Sequence, residues 1–87
     1  MKTYPLLISS PDGDLFRGNV QTLILRGTEG DLAVMAGHVP FVTGITRGKC
    51  VVVTEDETRK TGTIEEGMLT VDKDRVTVLT AGIEWTA

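Results

Sequence analysis

Acid–base chemistry in this sequence would depend on one histidine, His38. It is the only side chain whose ordinary pKa lies near neutral pH, so it is the natural candidate for a general base. No serine sits in a strand-turn-helix elbow like that of a hydrolase. The lone cysteine, Cys50, follows the strand period of a valine-rich run, where a small buried hydrophobic residue is more common than a reactive thiolate. We therefore predict a non-catalytic protein.

Metal binding has equally little support. A structural zinc site needs about four Cys or His ligands and a catalytic site about three, whereas the chain has His38 and Cys50 alone. Residues 12–14 and 72–74 offer paired aspartates for calcium, but neither segment continues into a ligand loop with a distal glutamate. Both segments are more typical of turns.

Segment 44–50 is the nearest approach to a nucleotide motif. It echoes a phosphate-binding loop, but it is one residue short and has Cys50 where a magnesium-binding hydroxyl belongs. Such a loop must open a helix, whereas residues 51–53 are three valines that favour a strand. The sequence predicts no cofactor.

The composition limits the classes of partner. With 87 residues the chain is predicted to be one domain, and a net charge of −3 with 5% aromatic residues argues against nucleic acid. A single cysteine allows no internal disulfide, which favours a reducing compartment. No stretch approaches the roughly 20 apolar residues of a membrane span, so any membrane association is expected to run through another protein.

Apolar residues alternate with a period of two over most of the chain, and valine and threonine dominate these stretches. Turn-forming clusters separate them at intervals of about eight to twelve residues, the spacing of a sandwich or barrel. The pattern predicts an all-β domain with strands at residues 4–9, 20–26, 31–35, 49–54, 59–64, 68–71 and 75–80.

The run 27–44 stands out as a candidate contact surface. A turn, a short strand and a second turn hold His38 and Pro40 in a stiff corner beside Val39, Phe41 and Val42. The order glycine, acid, leucine, then glycine-histidine-x-proline resembles the amino-terminal domain of the epsilon subunit of rotary F-type ATP synthases. Residues 9–20 resemble the opening of that family, and residues 66–71 and 75–79 resemble its closing strands.

This resemblance implies a ten-stranded sandwich of two five-stranded sheets, spanning residues 1–87 as a single domain. It also implies a non-catalytic rotor subunit in the central stalk, which joins the gamma subunit to the c ring for proton-driven ATP synthesis. The expected location is peripheral, in the F1 sector on the cytoplasmic face of the inner membrane or the equivalent organellar face. The sequence leaves open H⁺ or Na⁺ coupling, the direction of the reaction and self-association.

The chain departs from the family pattern in three ways. Ala33 replaces a usual glycine, and Glu66 stands where a second glycine is common, so backbone freedom is reduced at both positions. The sequence also stops at Ala87, where typical members continue into a helical hairpin that can inhibit rotation and in some members binds ATP. We expect the coupling role without hairpin-mediated inhibition, although Ala87 could be either a natural end or a truncation.

Motif matches imply the contact residues. The gamma-facing candidates are Ser10, His38 and Thr43, and the candidates for the loop that meets the c ring are Thr28, Glu29, Gly30 and Asp31. Local roles stay open: His38 could bond a ring nitrogen to nearby backbone, and Glu29 and Asp31 could belong to a solvated loop. A free-standing β-sandwich adaptor or small-ligand carrier is the alternative function, and a carrier would require a deep apolar pocket.

Overall fold

The computed structural model describes residues 2–86, which form nine β-strands and no helix. The prediction of an all-β domain is confirmed. The strands are β1 (Tyr4–Ser10), β2 (Gly13–Gly27), β3 (Gly30–Met35), β4 (Phe41–Ile45), β5 (Gly48–Thr54), β6 (Arg59–Ile64), β7 (Gly67–Val71), β8 (Val76–Thr80) and β9 (Ile83–Thr86). All seven predicted strands are present, whereas β4, β9 and the first half of β2 were not predicted.

Strand β2 organises the fold because its two halves pair with different neighbours. Its first half pairs antiparallel with β1, from Tyr4 opposite Val20 to Ser10 opposite Gly13. Its second half lies between β3 and β5. We call β4, β7, β8, β1 and the first half of β2 the first strand group, and β3, the second half of β2, β5, β6 and β9 the second strand group.

The expected division into ten strands and two separate five-stranded sheets is not confirmed. Residues 2–86 contain nine strands in one connected hydrogen-bonded network. The physical reason is the length of β2: its 15 residues are enough to serve both strand groups without a break. Gly27 of β2 also pairs with Ile45 of β4, which joins the groups a second time.

The core lies between the two groups and consists of alternate residues from both. Its largest fully buried side chains are Leu6, Ile8, Leu23, Leu25, Ile64 and Leu69. The hydroxyl of Tyr4 on β1 donates a hydrogen bond to the carbonyl of Val34 on β3 at 2.5 Å, so a polar contact also crosses the core. Cys50 is fully buried, and this burial raises the pKa of its thiol to about 11. The prediction that Cys50 is a small buried core residue is therefore confirmed.

Neither departure from the family glycines strains the backbone. Ala33 lies exposed on β3, and among the described residues the only non-glycine with a positive φ is Glu57, in the β5–β6 turn. Gly67, the residue after Glu66, is needed for a different reason. A Cβ at position 67 would lie 1.9 Å from the carbonyl oxygen of Leu79, because β7 and β8 approach closely there.

Candidate partner-binding surfaces

The predicted c-ring residues Thr28, Glu29, Gly30 and Asp31 all lie together at the exposed tip of the β2–β3 hairpin. Gly30 has a φ of +127°, which side-chain-bearing residues rarely adopt, so glycine is needed to close this turn. The backbone N–H of Thr28 donates to the carbonyl of Gly44 at 3.2 Å, which ties the tip to β4. The hairpin tip is therefore exposed but held to β4 by a backbone hydrogen bond.

The two acids of this tip differ. Asp31 is paired within the chain, since its Oδ1 lies 3.3 Å from Nε of Arg26. Within residues 2–86 Glu29 has no cation within 4 Å. Both side chains are exposed, and an exposed ion pair contributes only about 0.2–1 kcal/mol, so the Arg26 pair leaves Asp31 available to a competing cation.

Ser10 has a local role in the structure. It ends β1, and its hydroxyl donates to the carbonyl of Gly13 at 3.1 Å while accepting from the N–H of Asp12 at 3.2 Å. These two bonds stabilise the β1–β2 turn, as expected for serine next to a turn. The side chain is half-buried, so a further contact is sterically possible.

His38 lies in the β3–β4 connection, and its ring packs against Tyr4 at the start of β1. Its ring meets the ring of Tyr4 edge-on, with centroids 5.3 Å apart and planes at 84°, a favourable aromatic geometry. The Nδ1 atom is buried and has no hydrogen-bond partner in the described chain. The alternative in which a ring nitrogen bonds nearby backbone is thus not realised at Nδ1, and an unpaired buried nitrogen costs free energy.

Thr43 lies on β4 directly opposite Leu69, a fully buried residue of β7. Since opposed residues share a face, the Thr43 side chain points toward the interior side of the first strand group. It is half-buried, and its hydroxyl donates to the carbonyl of Gly44 at 3.2 Å. Its neighbour Val42 points outward instead and is 64% exposed.

The three gamma-facing candidates do not form one cluster. The row containing Thr43 runs across β7 and β8 to Ile8 on β1, which is about 14 Å for three strand spacings. Ser10 lies beyond Ile8 toward one end of the first strand group, and His38 lies at the other end, before β4 begins. Their role in binding gamma stays a prediction.

Sequence reasoning missed an apolar surface on the first strand group. Met68 and Leu79 are directly opposed on β7 and β8, are 44% and 55% exposed, and lie near Val42. We define the neutral face as eight uncharged outward residues of β1, β4, β7 and β8: Leu7, Ser9, Val42, Gly44, Met68, Thr70, Thr77 and Leu79. Arg17 and Asp14 of β2 border it, opposite Leu7 and Ser9. The consecutive apolar pairs at 68–69 and 78–79 could have revealed it, because one residue of each pair must point outward.

The described residues contain little that could support catalysis or a metal. Among them, no three His, Cys, Asp or Glu side chains come together as a metal site. Within residues 2–86, no helix could cross a membrane. One depression of about 510 Å³ beside Ser10 and Leu79 is an open surface groove, unlike the deep pocket expected of a small-ligand carrier.

The described residues thus combine one hydrophobic core, an exposed apolar face and a hairpin tip that is hydrogen-bonded to β4. Comparison with known families is more specific. The chain belongs to the family described as the ATP synthase, Delta/Epsilon chain, beta-sandwich domain, whose model matches residues 3–86. The resemblance inferred from the sequence is therefore confirmed.

Individual relatives agree. Over 84 residues the chain is 32% identical to the "ATP synthase epsilon chain, sodium ion specific" of Acetobacterium woodii, covering 97% of this chain and 63% of that relative. A chain in the cryo-EM structure of the Euglena gracilis mitochondrial ATP synthase, containing OSCP, F1 and the c ring, has a TM-score of 0.88 at 22% identity, covering 95% of this chain and 53% of that one. A chain in the Tetrahymena thermophila central stalk and c-ring structure has a TM-score of 0.79 at 10% identity, covering 95% and 66%. At these identities the two structures show a shared fold.

Proposed function

We propose that this domain is a non-catalytic rotor subunit of an F-type ATP synthase, which holds the gamma subunit to the c ring so that ion-driven rotation is coupled to ATP synthesis. Family membership motivates the proposal, and the observation that carries it is the neutral face. Three exposed hydrophobic residues on paired strands, Val42, Met68 and Leu79, form an apolar patch on an otherwise polar surface. Such a patch is typical of a permanent protein interface.

In this proposal the neutral face packs against gamma. A stable interface buries about 800 Å² on each partner, more than a few side chains supply. Ser10 and His38 lie beyond the two ends of the neutral face, and both are half-buried, so each can contribute to the rim of this contact. The Thr43 side chain points to the other side of the sheet, so Thr43 would contribute by positioning its outward neighbours Val42 and Gly44.

The hairpin tip formed by residues 28–31 is proposed to meet the polar loops of the c ring. Its exposure allows contact, and its bond to Gly44 limits movement of the tip relative to the neutral face. The location that follows is peripheral, in the F1 sector at the cytoplasmic or equivalent organellar face of the membrane. We further propose that the fold acts as two five-stranded layers, with β2 contributing one half to each.

The gamma assignment is tested by Leu79→Asp, which introduces a charge at the centre of the neutral face. We expect co-purification with gamma to fall more than about tenfold, because a buried unpaired carboxylate is costly. Ala33→Asp is the matched control, since residue 33 is exposed on a strand of the other group. Circular dichroism should be unchanged for both variants, and undiminished gamma binding by Leu79→Asp would contradict the assignment.

The c-ring assignment is tested by replacing Glu29 and Asp31 with lysine. Attachment to c subunits should weaken while gamma binding and the fold persist, because both side chains are exposed. The matched control makes the same charge change at Asp72 and Asp74, in the β7–β8 turn. Equal c-ring retention by the two double variants would count against this role of the tip.

A further inference from the structure

A second outward surface lies on the second strand group and differs in charge from the neutral face. Its middle row contains Ala33, Ile24 and Val51 on three neighbouring strands. Positive side chains flank this row, with Arg26 and Lys49 on one side and Arg59 on the other. We define these residues, with Met35 and Val53 beside them, as the cationic face.

The cationic face contains a shallow depression. It has a volume of about 280 Å³, and its lining residues are Ile24, Leu25, Arg26, Asp31, Lys49, Val51 and Arg59. The half-buried Ile24 and the buried Val51 form the floor, and three cations and Asp31 stand around it. An apolar floor with a positive rim is suited to a ligand that is apolar on one side and acidic at its edges.

The cationic face has three positive side chains and two acids, so it carries one net positive charge. Arg26 is paired with Asp31 at 3.3 Å, but within residues 2–86 neither Lys49 nor Arg59 has a carboxylate within 4 Å. Glu84 on β9 is the other acid on this side of the sheet, opposite Thr63. The net charge of the whole chain is −3, so a positive cluster on this face is not expected from the composition alone.

We propose that the cationic face is a docking site for an acidic amphipathic helix of a partner protein. The apolar stripe of the helix packs on Ile24 and its exposed neighbours Ala33 and Met35, and glutamates or aspartates on its flanks pair with Lys49 and Arg59. The five strands of the group span about 19 Å, which a helix of about 13 residues crosses. This site goes beyond the proposed gamma contact, because it lies on the other strand group. It goes beyond the proposed c-ring contact because it lies over β2, β5 and β6 and shares only Asp31 with the hairpin tip.

Other occupants fit the surface less well. An extended peptide added to a sheet binds the backbone of an edge strand, whereas the depression lies over β2 and β5, whose backbones are already paired on both sides. An anionic membrane is typically bound by clusters of four to eight basic residues, and this face has three, one of them paired.

The test measures binding of the 87-residue chain to a fluorescent peptide of about 14 residues, with leucines at helical spacing and glutamates on both flanks. A peptide with glutamine in place of glutamate is the ligand control. We expect the acidic peptide to bind at least about tenfold more tightly than the glutamine peptide, and to perturb the NMR signals of Ile24 and Val51.

The protein variants are Lys49→Glu with Arg59→Glu, and the matched control Lys73→Glu with Arg75→Glu in the β7–β8 turn. The first pair should reduce acidic-peptide affinity more than about tenfold, and the control should not. If the double reversal unfolds, Lys49→Gln with Arg59→Gln should still weaken binding. Equal affinity for both peptides, equal loss in both charge-reversal pairs, or binding only to anionic phosphatidylserine vesicles would overturn the proposal.

Discussion

The neutral face and the cationic face are both outward sheet faces with apolar side chains at their centre, and they differ in what surrounds those side chains. Met68 and Leu79 have threonine, serine and glycine as neighbours, whereas Ile24 and Val51 have Arg26, Lys49 and Arg59. Binding at the neutral face must therefore come from buried apolar area and shape, which contribute about 25 cal/mol per Å². Binding at the cationic face depends on charge as well.

In the two proposed contacts, this difference implies two kinds of partner. A contact made through apolar area is insensitive to salt and suits a permanent attachment. A contact framed by exposed cations is steered by charge and weakened by salt, which suits a partner that comes and goes. One small domain can thus hold a fixed partner on one strand group while the other group stays available to a second.

The largest loss of stability is expected from Gly67→Ala. This substitution disturbs β7 and β8, which carry the neutral face, and leaves the strands of the cationic face unchanged. The new methyl group would overlap the Leu79 carbonyl, so β7 and β8 must separate or shift. We expect a loss of about 3 kcal/mol in the free energy of unfolding, at the upper end for overpacking, measured by urea denaturation. Gly82→Ala is the control, since a Cβ there meets no atom within 4 Å. A loss below about 1 kcal/mol at position 67 would show that the close approach is not rigid.

A smaller loss is expected from Tyr4→Phe, which tests whether the two groups that carry the faces are held together by the Tyr4–Val34 bond. The substitution keeps the ring beside His38 but removes the buried hydrogen bond from the Tyr4 hydroxyl to the carbonyl of Val34. The free energy of unfolding should fall by about 2 kcal/mol. Burial also raises the pKa of Tyr4, so the wild type should lose stability above about pH 10 through this group, and the variant should not. A variant with wild-type stability would mean that packing alone joins the groups.

Salt separates the two faces directly. Raising KCl from about 50 to about 500 mM should weaken acidic-peptide binding roughly tenfold, because it screens Lys49 and Arg59. Gamma binding should change less than about twofold, since the neutral face has no charge to screen. Fluorescence anisotropy for the peptide and co-purification for gamma provide the measurements. Parallel salt dependence of both partners would remove the distinction between the faces.

The smallest expected effect is a loss of stability at high pH that comes from Cys50, in the core beneath the cationic face. The ordinary pKa of the Cys50 thiol is 9.0 and burial raises it to about 11, so the unfolded chain ionises first as pH rises. The stability that this thiol contributes is complete below about pH 9 and is lost toward pH 11, with about 1 kcal/mol gone by pH 10. Urea denaturation at pH 8 and pH 10 should detect this loss in the wild type. A Cys50→Ala variant with the same pH dependence would exclude the thiol as its source.

The alternation of apolar residues was sufficient to predict most of the fold. Strand β6 was predicted with its observed bounds, and β1, β3, β5, β7 and β8 were each predicted within one residue at either end. These strands have a clear inward and outward side, which is the signal that a period of two reports. The family resemblance came from ordered motifs and was confirmed over residues 3–86.

The missed elements are those where alternation is weak. In β4, the apolar residues Phe41 and Val42 are consecutive and both exposed, so they break the alternation, and the segment was predicted to be a corner instead of a strand. The first half of β2 contains Gly18 and Asn19, and β9 has only four residues, too few to establish a period. The cationic face was missed because Arg26, Lys49 and Arg59 are far apart in sequence and meet only through strand pairing.

Strand β2 gives the domain a mechanical property that the two faces alone do not. Because β2 runs through both strand groups, a force on the first group is transmitted to the second through the covalent backbone of β2. The packing contacts between the two layers are therefore not the only mechanical connection. For tension along β2, the ladders to β1, β3 and β5 would be sheared, so many hydrogen bonds share the load. In the proposed rotor subunit, the continuous β2 strand would limit shear between the two layers while the domain rotates with its partners.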